Sequence, residues 1–373
     1  MQTQDGQTTQ TPDRAQDTPE HVAPGYVSRI EAVGLALPSG RVTTRELLDS
    51  RRHRFPLDLE KHTGIVERRV CVEGEDSLTL AVDAARNALA HSRHDASSLD
   101  MVLVCSITRW SGGLSWQLEP SLSLMLKGAI GAGQALNFDI SNACAGMLTG
   151  VHVMNDFIAR GVVRRGMVVS GEYISSLGVN AARTMKTIAS KQLASLTVGD
   201  AGAAVILERG EEGSAGIASS QLSTIAEHSD LCIGRPCEDG PGATMVTNAS
   251  SLHRAAIAYS AHTIHEALEH SGYPPESIDH VIPHQTATSA IKAGIKHSER
   301  KVGHYSADVV LNLAEFGNTA STTHFATLHR CLKERRFKAG DRVMMICSAS
   351  GLTVGAMVFT VDEELCERYG RRD

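Results

Sequence analysis

The sequence predicts an α/β protein built from two related halves. Three observations lead there: an internal repeat, a second pair of matching units downstream of it, and strands that alternate with helices. The repeat sets ALAHSRHDASSLDMVLVC (88–105) against ALEHSGYPPESIDHVIPH (267–284), 179 residues apart and without a gap. Seven of the eighteen positions are identical, among them His91/His270, Asp100/Asp279 and Val102/Val281. Each copy reads as an amphipathic helix, a polar turn and a buried strand.

The second units are residues 137–161 and 313–336. Each runs from a short segment through a small-residue turn, containing Asn142 or Asn318, into a helix. In the first helix Met147, Val151, Met154 and Ile158 fall on one face. Strands follow at 166–170 and 341–348. The expected halves are 27–208, carrying a candidate nucleophilic cysteine, and 209–373, carrying a histidine and an asparagine. A ligand site is expected where they meet. Residues 1–26 are rich in Gln, Thr, Asp and Pro and read as a disordered tail without a hydrophobic signal region.

The composition is 42% apolar and 21% charged, that of a soluble globular chain. A net charge of −6 argues against nucleic acid or an anionic membrane as partner. Arg160, Arg164 and Arg165 could still form a local patch for an acidic carrier protein. No apolar run is long enough to span a bilayer, so a cytoplasmic location is expected. The eight cysteines are scattered as reduced thiols are. Cys232 and Cys237 form one close pair. A metal site would need two further ligands, and none lies beside them, so they read as ordinary thiols in a loop.

Three residues carry the chemistry. Cys144, in Ser-Asn-Ala-Cys-Ala-Gly, opens a helix, where free N–H groups and partial positive charge favour thiolate. Its small neighbours would let a substrate carbonyl approach the backbone, and its own N–H could serve an oxyanion. His284 ends the apolar strand Val281–Pro283, and strand ends present functional side chains in α/β proteins. Asn318 follows a glycine in the turn that matches the Cys144 turn; as a bland alternative, it caps the helix. Cys, His and Asn in that order also occur in papain-like hydrolases, which lack a duplicated architecture. Thiolate, imidazole and amide can equally serve carbon–carbon bond formation between thioesters.

These residues resemble the β-ketoacyl-acyl-carrier-protein synthase III group of the thiolase superfamily. Six motifs occur in the family's order: HTGIVERR (62–69), NACAG (142–146), VGDAGAA (198–204), PHQ (283–285), FGNT (316–319) and SGLTVG (350–355). The resemblance implies a five-layered αβαβα thiolase fold, a homodimer, and a Cys144/His284/Asn318 triad. It also implies that Gly351 lines the oxyanion region opposite Cys144. Acyl-CoA or acyl-carrier-protein thioesters would be substrates, with no cofactor and no metal. Two departures leave coenzyme A and carrier protein both open. Fatty-acid-initiating members read His-Gln-Ala-Asn where this chain has His284-Gln285-Thr286-Ala287, and they place an adenine-stacking Trp just before Thr-Gly-Ile. Here the only tryptophans are Trp110 and Trp116.

The strings Leu118-Glu119-Pro120 and NFDISNAC (137–144) look like the head-to-head acyl-condensing enzymes of olefin, α-pyrone and β-lactone pathways. In that subgroup a Glu at the Glu119 position reaches across the dimer and removes the α-proton of the second thioester. Burial among Leu118, Pro120 and Leu122 would tune such a base; the bland alternative is a surface acid at a helix start with Pro at its first position. The expectation is thioester Claisen condensation in lipid or polyketide-type metabolism. Its alternatives are decarboxylative condensation with malonyl-carrier protein, acyl transfer to an alcohol or amine, and a non-catalytic dimer partner.

Overall fold

A computed structural model describes residues 25–370 apart from Glu212 and Ser306. The expected N-terminal tail lies, up to residue 24, outside the described residues. In the first half the strands are β1 (Val27–Ala36), β2 (Gly40–Thr43), β3 (Glu67–Val70), β4 (Met101–Val104), β5 (Leu136–Asp139), β6 (Arg165–Glu172) and β7 (Ala201–Gly210). The second half has β8 (Ile217–Thr224), β9 (Cys232–Pro236), β10 (Ala243–Thr247), β11 (His280–Pro283), β12 (Asp308–Val309), β13 (Arg342–Ala349) and β14 (Thr353–Thr360).

Two five-stranded sheets result, β1-β7-β6-β4-β5 and β8-β14-β13-β11-β12. From corresponding edges, each sheet shows two antiparallel pairings followed by two parallel ones. The duplication in the sequence is thus a duplication of sheet topology. Parallel strands need cover on both faces, which is why β4 reads as the unbroken apolar run MVLV and is wholly buried.

The cover comes in three helical layers. Helices Gly146–Ala159 and Thr323–Lys333 lie between the sheets and share one core. Met147, Val151, Met154 and Ile158, the apolar stripe of the sequence, are all 0% exposed in it. Helices Ser77–His91 and Leu122–Ile130 cover the outside of the first sheet. Helices Ala249–Ser271 and Thr288–Val302 cover the second. The layers read αβαβα, as expected.

The central helices begin alike. Ala143 and Ala320 hold φ +44° and +54°, and each opens a single 3-10 turn that feeds its helix. Left-handed alanine is unfavourable, so its occurrence at both positions marks them as equivalent. Cys144 therefore corresponds to Ser321. The ungapped repeat likewise sets Cys105, after β4, against His284, after β11.

Helix Ser77–His91 lies so close to the sheet that glycine is required beneath it. A Cβ on Gly202 would sit 2.2 Å from the Leu80 carbonyl oxygen, and one on Gly171 2.0 Å from that of Ser77. Gly202→Ala is expected to destabilise the protein by about 1–3 kcal/mol, the usual range for overpacking. Urea unfolding should show a lower midpoint at an unchanged slope; an unchanged midpoint would mean the helix can lift.

Candidate active site

Cys144 lies in the middle of the turn Ala143–Ala145 and borders a cavity of about 260 Å³. The wall is mostly apolar, with Ile107, Trp110, Trp116, Ile174, Leu177 and Met245 in it. The two tryptophans bridge to each other and stand edge to face, ring centres 5.2 Å apart. Ala143 also borders the cavity. The other small neighbours serve packing instead of substrate approach. Ala145 is fully buried, and a Cβ on Gly146 would lie 2.6 Å from the Cys105 carbonyl oxygen.

The thiolate expected from the helix start is outweighed by burial. Burial pushes the Cys144 thiol well above its ordinary value, and Cys347, Cys232 and Glu172 nearby act in the same direction. Burial thus favours the neutral thiol over the thiolate at Cys144.

Asn318 is held by its backbone against the first half. Its N–H donates to the Thr197 carbonyl at 2.9 Å, and its carbonyl accepts from the Gly199 N–H at 3.0 Å. Gly317 makes the approach with φ +65°, where a Cβ would lie 2.8 Å from the same Thr197 oxygen. The Asn318 Oδ1 accepts from the Ala320 N–H at 3.0 Å. This is a turn contact and not a helix cap, because Thr319 precedes the 3-10 turn and Thr322 the helix, and it uses only the oxygen. Asn318 and Cys144 border the same cavity.

His284 is anchored by its N–H to the Ile346 carbonyl at 2.8 Å. Gln285 beside it is fully buried, donates to the Pro283 and Val310 carbonyls and accepts from the Asn312 N–H, which locks the turn. Burial pushes the His284 imidazole down to about 3, and the His324 ring, 6.0 Å away, adds to the effect. The ring is neutral at physiological pH, with one N–H and one lone pair. It borders a second cavity of about 80 Å³ between helices Ala249–Ser271 and Thr288–Val302. Cys144 and Asn318 thus share one cavity, and His284 borders another. β13 ties them together: Ile346 holds His284, and Cys347 Sγ lies 3.8 Å from the Cys144 carbonyl oxygen.

Glu119 is not brought to this site within one chain. It is exposed, and Leu118 beside it is 74% exposed, so the expected burial is absent. Nor does Pro120 open a helix, because Ser121 is the N-cap of Leu122–Ile130. Gly351 has φ +129°, a conformation suited to glycine, and of the Ser350–Gly351 pair it is Ser350 that borders the Cys144 cavity. Cys232 and Cys237 flank a strand pairing, β9 with β10, instead of a plain loop, and Cys232 borders the Cys144 cavity. Arg160 is paired with Asp156 at 2.5 Å. Among the described residues no group of His, Cys, Asp or Glu is placed to hold a metal, and no helix is long and apolar enough to cross a membrane.

Sequence reasoning missed Glu172, which is fully buried at the end of β6. It accepts from the Ile107 and Thr108 N–H groups at 2.9 and 3.1 Å, from Thr108 Oγ1 at 3.0 Å, from Ser170 Oγ at 3.1 Å, and from Ser321 Oγ. Burial raises its carboxyl above the ordinary value, while hydrogen bonds from the Ile107 and Thr108 N–H groups and from the Ser321 and Thr108 hydroxyls pull it back. An acid closing the apolar run GMVVSGE was the available signal.

Labelling of Cys144 with iodoacetamide, followed by intact mass, is expected to be slow at neutral pH and to climb beyond pH 9. A rate already level at neutral pH would show a resting thiolate.

Residues 138–226 match the 3-oxoacyl-[acyl-carrier-protein] synthase III family, and residues 268–361 match the C-terminal part of that synthase. The β-ketoacyl-[acyl-carrier-protein] synthase III of Rubrobacter xylanophilus is 30% identical over 292 residues, 78% of this chain and 85% of that one. That of Rhodospirillum centenum is 28% identical over 338 residues, 88% and 97% of the two chains. The structure of 3-oxoacyl-[acyl-carrier-protein] synthase III from Aquifex aeolicus matches with TM-score 0.75 at 24% identity, over 90% of this chain and all of that one. OleA from Xanthomonas campestris, solved with lauric acid and lauroyl-CoA, matches with TM-score 0.77 at 22% identity, over 90% and 99%. These likenesses establish the thiolase fold. Sequence identity and coverage carry further: this chain belongs to the β-ketoacyl-[acyl-carrier-protein] synthase III family of condensing enzymes.

Proposed function

We propose that the protein joins two acyl thioesters head to head, by Claisen condensation, into a β-ketoacyl product. The observation that carries this reading is the apolar cavity shared by Cys144 and Asn318, with His284 on a second cavity beside it. An alkyl chain attached to Cys144 suits the first wall. OleA, whose fold this chain shares, was solved with a lauroyl thioester, an acyl group of the class that this wall would accept.

The first step is transfer. The Cys144 sulfur attacks the thioester carbonyl carbon, the carrier thiol departs, and the Cys144 proton goes to the departing sulfur. The Cys144 N–H, with the peptide at Gly351 opposite, supports the oxyanion. In the second step the α-carbanion of another thioester attacks the acyl carbonyl, the carbon–sulfur bond breaks, and Cys144 leaves as a thiolate that regains its thiol proton from the base that deprotonated the α-carbon or, after decarboxylation, from water. His284, through an N–H, and Asn318, through Nδ2, hold the enolate oxygen of that second thioester.

The carbanion requires loss of a proton or of carbon dioxide. Glu119 is assigned the proton, delivered from a second copy of the chain. Exposed Trp116, Leu118, Leu124, Leu136 and Phe138 around it support burial of this surface in a homodimer. Carriage on coenzyme A or on a carrier protein, and a cytoplasmic location, complete the reading.

Three sets of variants test it. With lauroyl-CoA as sole thioester, intact mass should show one acyl adduct, absent in Cys144→Ala. His284→Ala and Asn318→Ala should still form the adduct, with condensed product reduced about 10²-fold or more, the range of a lost oxyanion donor. Glu119→Gln should acylate normally but give no product from non-carboxylated thioesters, while malonyl thioester, if accepted, bypasses the defect. Undiminished head-to-head product from Glu119→Gln would return the enzyme to the decarboxylative reading.

A further inference from the structure

Asn318 can serve a second thioester only if its side chain is held with Nδ2 free. The group that holds it is the Ala320 N–H, which binds Oδ1 at 3.0 Å. That N–H belongs to a residue at φ +54°, which alanine does not adopt without support. The support must come from the rest of the turn Ala320–Thr322.

Ser321 supplies it. The residue is fully buried, and its hydroxyl donates to Glu172 Oε1 and lies 2.6 Å from Ser170 Oγ. Both partners are on β6 of the first half. The same Glu172 carboxylate takes the backbone N–H groups of Ile107 and Thr108, two residues in the wall of the Cys144 cavity. One buried carboxyl group thus joins the cavity wall to the turn that fixes Asn318. The first-half turn, though it also begins with a left-handed alanine, has the nucleophile itself, Cys144, at the corresponding position.

We propose that Glu172 and Ser321 are positioning residues for Asn318: they hold the Ala320–Thr322 turn in the form whose N–H binds the Asn318 oxygen and turns its amide nitrogen to the substrate. The inference rests on the assignment of Asn318 to the condensation step. It predicts a division of labour, in which loss of the Ser321 hydroxyl leaves acylation of Cys144 intact and weakens the step that uses Asn318. A displacement of about 1 Å in such a group costs on the order of 10²-fold in rate.

The test is a double-mutant cycle on the full-length protein with lauroyl-CoA, reading the acyl adduct by intact mass and the condensed product by mass spectrometry. Ser321→Ala is expected to acylate at the wild-type rate, keep KM, and lose about 10- to 100-fold in kcat for condensation. In the Asn318→Ala background the same substitution should cause no further loss. Ser321→Cys, which keeps a weak donor, should recover part of the rate, and it carries the same cycle if Ser321→Ala does not fold. Wild-type condensation by Ser321→Ala, equal loss of acylation, or additive losses in the double variant would overturn the positioning role while leaving Asn318 in place. Wild-type condensation by Asn318→Ala would instead overturn the Asn318 assignment, and this inference with it.

Discussion

The site depends on the clamp that the first half places on the backbone of Asn318. Thr197 and Gly199 take the N–H and the carbonyl of that one residue across the boundary between halves. The close approach leaves no room for other side chains: a Cβ on Gly199 would lie 2.3 Å from the Phe316 carbonyl oxygen. The segment is itself braced from below. Arg68, 2% exposed, donates to the Leu196 carbonyl at 2.9 Å and to Thr44 Oγ1 at 2.7 Å. Asp200 takes the Cys71, Ile174 and Ser175 N–H groups, and burial raises its carboxyl to about 6. These buried polar groups are tolerable because they are hydrogen-bonded. Their return is rigidity, since a half that could slide would carry Asn318 away from Cys144.

The second feature is dryness. Burial favours the neutral forms of both the Cys144 thiol and the His284 imidazole, raising one and lowering the other. In the reaction proposed above, a charge developing on a substrate oxygen would meet preset dipoles in a largely apolar surround, the condition under which such donors act most strongly. Glu172 is buried in the same region, where its carboxyl is occupied by backbone N–H groups and hydroxyls.

Much of the fold was legible because a duplicated chain displays its own alignment. The stripe Met147, Val151, Met154 and Ile158 foretold the central helix, and the unbroken run MVLV foretold a strand covered on both faces. Cys144, His284 and Asn318 stood out as candidates because each stands at a strand end or helix entrance; the structure sets Cys144 and Asn318 on one cavity and His284 on another. Other features needed three dimensions. The effect of burial on Cys144 opposes that of its helix, and sequence shows only the helix. Glu119 read as buried from its apolar neighbours, but Leu118 is 74% exposed, and Leu122 turns into the core while Glu119 stays outside it. Glu172 and Ser321 lie 149 residues apart, and no local pattern links them.

Equivalent turns at Cys144 and Ser321 have a consequence for how such a site can change. In a symmetric pair of identical chains, each substitution appears twice, so both turns must carry the same residue. Joining the halves in one polypeptide removes that restriction. One turn can keep a sulfur that reacts, while its counterpart carries a hydroxyl that does not. Each position then answers to a single demand. Covalent linkage of the halves is what allows two copies of one framework to become unlike, and unlikeness is what an enzyme with two successive steps requires.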